Sequence, residues 1–293
     1  MLYYNIHYFR LSHVFAFSLT APDGGAEVAY CLQSHADANG VVDSRGAVGH
    51  HHLVDDAAMI MLRDLVTGYQ GQGIGVPLDG RFDSGSMTAI VGANGSGKST
   101  LLKTLAGLLP PVQGSLSFGP AGRPRIGYLP QQVEMDRQFP LTVFDVVAMG
   151  CWPASGLLRR INRAGQAAIW QALTRVGLET LAQCAISTLS GGQFQRMLFA
   201  RLLVQEAPLI LLDEPFSGID KPTCGLLMTV IEQLHRQGRT IIVVLHDNQL
   251  VAQHFPQTLW LSSSQPAWGP SSRVLATWPD FAAPMPPLCL LSV

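Results

Sequence analysis

The chain of 293 residues is short of charge: Asp, Glu, Lys and Arg make up 13% of it, about half the roughly 25% of an average soluble domain. Lysine is nearly missing, with three residues at 98, 103 and 221. Basic and acidic side chains balance at 19 against 20, and the isoelectric point lies near 6.7. That balance excludes the basic stripe expected of a nucleic-acid binder. No apolar run approaches the roughly 20 residues of a membrane-spanning helix. The nearest candidate, residues 11–21, is interrupted by His13 and bordered by Arg10. Its length also suits the apolar stretch of a signal peptide, the other reading of that segment. The five cysteines (31, 151, 184, 224 and 289) form no CxxC pair, which excludes a zinc knuckle or a disulfide framework and fits reduced thiols. What is present is a hydrophobic fraction of 47%, enough for a sizeable core.

Three zones follow one another. Residues 1–58 hold six of the nine histidines and no lysine, with little periodicity. They are expected to be either a disordered extension or the product of a start site placed too far upstream. Residues 59–280 alternate apolar runs with Gly-punctuated turns, the pattern of an α/β domain. Residues 281–293 are Pro-rich and read as an irregular tail. Within the middle zone, residues 87–91, 126–129, 209–212 and 240–245 are strand candidates. Their continuous apolar runs suit a parallel sheet covered on both faces. Residues 99–109 read as a helix, and residues 132–188 as a helical segment. There Thr142 and Asp145 resemble a capping box, and Ile169, Leu173 and Val176 repeat at helical spacing.

The chemistry begins at Gly92, Ala93, Asn94, Gly95, Ser96, Gly97, Lys98 and Ser99, which satisfy GxxxxGK[ST] between a strand and a helix. Glycines allow backbone N–H groups to curl around phosphate oxygens, and the helix that follows presents its positive end to the same anion. Lys98 supplies a point charge, and the Ser99 hydroxyl is a candidate Mg²⁺ ligand. Downstream, four apolar residues end in Asp213 and Glu214. A buried strand there delivers both carboxylates to its C-terminal edge, where ligands of open α/β sheets bind. Asp213 is placed to hold Mg²⁺ and Glu214 to orient or deprotonate an attacking water. A second anion-binding helix start is expected at Ser190, Gly191, Gly192 and Gln193, with Ser190 as the N-cap. Two phosphate-binding helix ends in one chain decide the class.

The order of the phosphate loop, Gln131, Leu189-Ser190-Gly191-Gly192-Gln193, the carboxylate pair and His246 resembles the nucleotide-binding subunits of ABC transporters, over roughly residues 61–280. The resemblance implies an α/β P-loop NTPase core of ABC type with a helical signature subdomain and an antiparallel β subdomain. It implies ATP and Mg²⁺ as the cofactors, with nucleotide contacts running from Gly92 through Thr100. It also implies that two copies pair head-to-tail, the signature residues of one closing over the ATP of the other. Carried over in the same way, Tyr69 stacks on adenine and Gln131 senses Mg²⁺ and water. Asp220 belongs to the loop that crosses the dimer, and His246 contacts the γ-phosphate. The partners implied are a second ATPase copy, integral membrane permease subunits and a solute-binding protein, with no nucleic acid. The location implied is peripheral, on the cytoplasmic face of the plasma membrane.

Residues 136–150, the wording Glu214-Pro215-Phe216-Ser217-Gly218-Ile219-Asp220, and Ala267-Trp268-Gly269-Pro270 resemble zinc and manganese importers. Iron-siderophore and cobalamin importers share part of this wording and are the alternative. An ABC ATPase of DNA repair or translation is the remote one: the stretch from Lys98 to Ser190 has room only for a small helical subdomain, and the chain holds one cassette. His50, His51 and His52, near His35, Asp55 and Asp56, are read as irregular text rather than a metal site, which needs fixed geometry.

Overall fold

The computed structural model describes residues 6–11, 14–20, 26–32, 58–133, 135–151, 161–262 and 264–276. Most of the expected 1–58 extension, the run at residues 50–52 and the tail at 281–293 lie outside the described residues. The strands β1 (Ile6–Leu11), β2 (Val14–Thr20) and β3 (Ala26–Leu32) form an antiparallel sheet of their own.

From residue 58 onward, the described residues form two sheets and seven α-helices that enclose two hydrophobic clusters. The larger sheet has the order β12-β11-β6-β10-β9-β8. Its members are β6 (Met87–Gly92), β8 (Ile126–Leu129), β9 (Leu209–Asp213), β10 (Thr240–Val244), β11 (Gln257–Leu261) and β12 (Ala267–Pro270). All neighbours pair in parallel except β12, which closes one edge antiparallel to β11. Each of the three central strands, β6, β9 and β10, is buried along its whole length. Alternate residues serve opposite faces: Ile90, Leu209, Leu211, Ile242 and Val244 enter one cluster, while Ala89, Val91, Ile210, Leu212, Ile241 and Val243 enter the other. This two-sided burial explains the continuous apolar runs.

On one face, helix α1 (Lys98–Leu105) is sandwiched between the parallel sheet and a smaller antiparallel one. That sheet has the order β5-β4-β7, from β4 (Ala58–Tyr69), β5 (Gln72–Asp83) and β7 (Gln113–Phe118). Trp268 of β12 clamps the two sheets together. Its ring lies 4.5 Å from that of Phe82, tilted by 53°, and fills the space where a Cβ on Gly80 would come within 2.5 Å of it. The helix α1 ends earlier than the expected residue 109. Gly107 takes the left-handed φ of 75°, its N–H bonds the Thr104 carbonyl, and the Leu108 N–H returns to that of Lys103. These two bonds make a Schellman stop.

On the other face lie α2 (Val143–Ala148), α3 (Arg163–Arg175), α4 (Gly191–Val204) and α5 (Lys221–Arg236). Short α6 (Asn248–His254) and α7 (Ser271–Ala276) complete the chain. The capping box at Thr142 and Asp145 forms as expected. Ile169, Leu173 and Val176 are fully buried, so truncating any one to Ala costs about 2–4 kcal/mol.

Candidate active site

Strand β6 terminates at Gly92, whose φ of 151° and close packing admit no side chain. A Cβ there would run into the backbone carbonyl of Leu261 and lie 2.8 Å from Ser96 Oγ. The loop then turns through Gly95 and Gly97, both left-handed, into α1. Gly97 caps that helix without a side-chain bond. The first-turn N–H groups therefore lack a side-chain acceptor from the cap, the requirement for receiving phosphate oxygens. Lys98 is buried and folds back on the loop, its Nζ donating to the carbonyls of Gly92 at 2.9 Å and Ala93 at 2.8 Å. Burial lowers its pKa, opposed by the nearby carboxylates of Glu214 and Asp213. Ser99 Oγ donates to Asp213 Oδ1 at 2.9 Å. Thr100 is buried behind it.

Asp213 ends β9 at 2% exposure. Its pKa is raised chiefly by burial, against the hydrogen bond from Ser99. Glu214 turns out of the strand with a left-handed φ of 48°, held by its N–H on the Val244 carbonyl at 3.2 Å. Strands β8 and β10 flank β9, so the residues that follow them converge on this carboxylate. From the β8 side, Gln131 Nε2 donates to Glu214 Oε2 at 2.7 Å. From the β10 side, His246 Nε2 meets Glu214 Oε1. Ser217 Oγ adds a bond to Glu214 Oε2 at 3.2 Å.

Tyr69 stands at the end of β4, 44% exposed, with Lys103 Nζ 6.0 Å from its ring centroid and 3.4 Å from its hydroxyl. Beside it Ile74 overhangs the phosphate loop; a Cβ on Gly97 would lie 3.1 Å from its Cγ2. Motif reading passed over Lys103, Ile74 and Ser217. Lys103 carried the signal of being one of three lysines, and Ser217 lay within the quoted stretch from Glu214 to Asp220 without a role of its own.

At the second helix start the expected N-cap forms. Ser190 caps α4 by accepting the Gln193 N–H at 3.2 Å, and Gln193 Oε1 accepts the Ser190 N–H at 2.9 Å. Gly191 is exposed and Gly192 half-exposed. Among the described residues, Ser190 and Gln193 bond each other and not the phosphate loop. Asp220, expected in a crossing loop, is the N-cap of α5 and accepts the Thr223 N–H at 3.1 Å. Bonds from Thr223 lower its pKa. The structure thus gathers Lys98, Ser99, Asp213, Glu214, Gln131 and His246 into one cluster, with Tyr69 on the flank of the phosphate loop.

The ABC transporter family profile matches residues 77–217. A manganese transport system ATP-binding protein of Listeria monocytogenes is 42% identical over 191 residues, 64% of this chain and 80% of that protein. The chain belongs to the ABC transporter ATP-binding proteins. A zinc transport system ATP-binding protein of Treponema pallidum is 40% identical over 212 residues, covering 70% of this chain and 79% of that one. Among solved structures, a metal-chelate type ABC transporter in an inward-facing conformation superposes with a TM-score of 0.67 at 30% identity, over 74% of this chain and 85% of that chain. An ATP-binding cassette in its ADP conformation gives 0.65 at 20% identity over 76% and 96% of the respective chains, a likeness of fold alone. As an ABC ATPase the chain binds ATP. Among its described residues no helix is long and apolar enough to cross a membrane.

Proposed function

We propose that this ABC ATPase works as a homodimer that powers import of manganese or zinc through separate permease subunits. The observation that carries the catalytic part is Glu214 held between Gln131 and His246 beside the Ser99–Asp213 pair. The relatives named for manganese and zinc transport support the cargo.

The hydroxyl and carboxylate of Ser99 and Asp213 are the oxygen donors that Mg²⁺ prefers, and their 2.9 Å separation suits a shared cation. Bound there with nucleotide, the ion would draw charge from the β- and γ-phosphates. Lys98 exchanges its two loop carbonyls for phosphate oxygens, while the open N–H groups of α1 and the loop cradle the rest. Tyr69 takes the adenine face. Glu214 accepts a proton from the attacking water, His246 steadies the carboxylate and the γ-phosphate, and Gln131 orients the water. The signature end at Ser190 to Gln193 completes the site from a second copy, since among the described residues its side chains bond each other and not the phosphate loop. ATP favours the closed dimer over the open one, and that difference in affinity is the work available to the permease.

The half-exposed face of the helical segment, where Trp170 is 43% exposed and packs 5.7 Å from Phe144, is the surface that receives the permease. The similarity to a metal-chelate type transporter favours chelated iron or cobalamin as the second reading of cargo. The test is cell-associated zinc, manganese, iron and cobalt in a deletion strain under chelation, complemented with wild type or Glu214→Gln. A fall in manganese or zinc restored by wild type alone is the expected result. Four unchanged metals would overturn the free-ion cargo.

A further inference from the structure

Tyr69 closes β4 at a hairpin whose backbone is tightly determined. Gln70 and Gly71 both take a left-handed φ, 50° and 80°, and return the chain so that Tyr69 pairs with Gln72. Two consecutive left-handed residues are what a type I′ hairpin turn requires. Gly68 seals the turn, since a Cβ there would run into the Gln72 carbonyl. The side chain of Tyr69 is less confined. It is 44% exposed, and a ring that open is free to change rotamer. Among the described residues, the hydrogen-bonding partner of its hydroxyl is Lys103.

Lys103 belongs to the last turn of α1, where the helix dipole favours a cation whatever else it touches. Its geometry gives it a second role. The Nζ stands 3.4 Å from the Tyr69 hydroxyl and 6.0 Å from the ring centroid. The difference is nearly the reach of a phenol oxygen from its own ring centre, so the ammonium lies close to the ring plane, beyond the hydroxyl. It holds the tip of the ring and leaves both faces bare, unlike a cation drawn over an aromatic face. Lys103 is also four residues from Ser99, on one face of the helix, and Ser99 bonds Asp213. Burial raises the Asp213 pKa, and the Lys103 charge is among the groups that oppose it. One ammonium is thus within electrostatic reach of both the ring and the carboxylate end of the site.

We propose that Lys103 is a positioning residue for base recognition: it fixes the Tyr69 ring by its hydroxyl, so that a flat purine meets a preset stacking face. The inference rests on the adenine role given to Tyr69 above. A base stacks only once ring and base are ordered together, and a partner that orders the ring beforehand removes part of that cost. Fixing one side chain in advance is worth about three- to tenfold in affinity. That gain falls on ligands that carry a base and is absent for those that carry none. The contact is at the long end for a hydrogen bond, so the ring still has room to settle against its ligand.

The test is the calorimetric affinity of the purified full chain for ATP and for inorganic tripolyphosphate, at one ionic strength. The quantity read is the ratio of the two, which cancels the general pull of a lysine on phosphate. Tyr69→Phe removes the hydroxyl and keeps both the ring and the nearby charge. Lys103→Met removes the ammonium and keeps an apolar stem. Each is expected to lower the ratio about three- to tenfold. The double variant should lower it no further than the larger single loss, because the two groups act as one pair. A wild-type ratio in either single variant would overturn the proposal, and for Lys103→Met it would leave a charge that serves the phosphates alone. Additive losses in the double variant would also overturn it, since Lys103 would then meet the base directly. If Lys103→Met does not fold, Tyr69→Phe decides the matter unaided. Tyr69→Ala separates this proposal from the reading it rests on. A wild-type ratio there would remove Tyr69 from base recognition and the positioning role with it. A lowered ratio there, beside wild-type values for Tyr69→Phe and Lys103→Met, would overturn the role of Lys103 alone.

Discussion

Gln131 and Glu214, 83 residues apart in sequence, are joined by a 2.7 Å hydrogen bond from the amide to the carboxylate. The bond holds in place the carboxylate proposed above as the proton acceptor, with the residues that would share it with water already within reach. His246 completes the hold from the other side.

Replacing Glu214 with Gln removes the carboxylate proposed as the proton acceptor but keeps the side chain's size. Turnover is expected to fall by about 10²–10⁴, the usual contribution of a general base, while ATP binding persists. Stopped steady-state hydrolysis alongside equilibrium binding of a fluorescent ATP analogue checks both halves.

Lys98→Ala removes the charge that two loop carbonyls hold in place. Hydrogen bonds to charged groups contribute about 1.5–3 kcal/mol each. ATP affinity should fall by tenfold or more in a calorimetric titration, and unchanged affinity would contradict the phosphate-loop role.

Tyr69→Ala tests the adenine wall. Stacking on an aromatic ring contributes about 1–3 kcal/mol per base, so ATP should bind more weakly, whereas inorganic tripolyphosphate, which has no base, should bind as to wild type. Equal losses for both ligands would remove Tyr69 from base recognition.

Gly92→Ala places a methyl against the Leu261 backbone. It should lower the melting temperature and abolish ATP binding together, since the same turn sets the sheet and the loop. Thermal unfolding with and without ATP reads both effects.

Asp220 carries a pH signature. Its pKa is depressed in the fold by the side-chain bond to Thr223, so its stabilisation is present above the ordinary carboxylate pKa and is lost as pH falls through the folded value. The melting temperature of Asp220→Ala should therefore lie below wild type at neutral pH and converge with it in acid. Asp220→Asn, a cap without a charge, should lose that pH dependence.

The central strands, the capping box at Thr142 and the N-cap at Ser190 could be read in the sequence because each is local. A run such as residues 240–245 has no polar face to confuse, and Thr142 with Asp145 or Ser190 with Gln193 bond within one turn. The antiparallel sheet was reachable through family resemblance only. Its strand β5 is Gly-rich and mostly exposed, and β4 pairs through bulges, which blurs the alternation that marks a strand. Motif order pointed to the residues that gather around Glu214, but not to the contacts of Phe194 and Gln195, because their partners are a distant guanidinium and a backbone carbonyl. The loop assignment of Asp220 rested on family resemblance, and its local role as the N-cap of α5 stands beside it.

The contact of Trp268 with Phe82 and Gly80 has a mechanical consequence. Tyr69 belongs to the same small sheet as Phe82, and Lys98 follows a strand of the sheet that Trp268 edges. Tyr69 and the phosphate loop are thus bolted to one frame, like the fixed arm of a caliper.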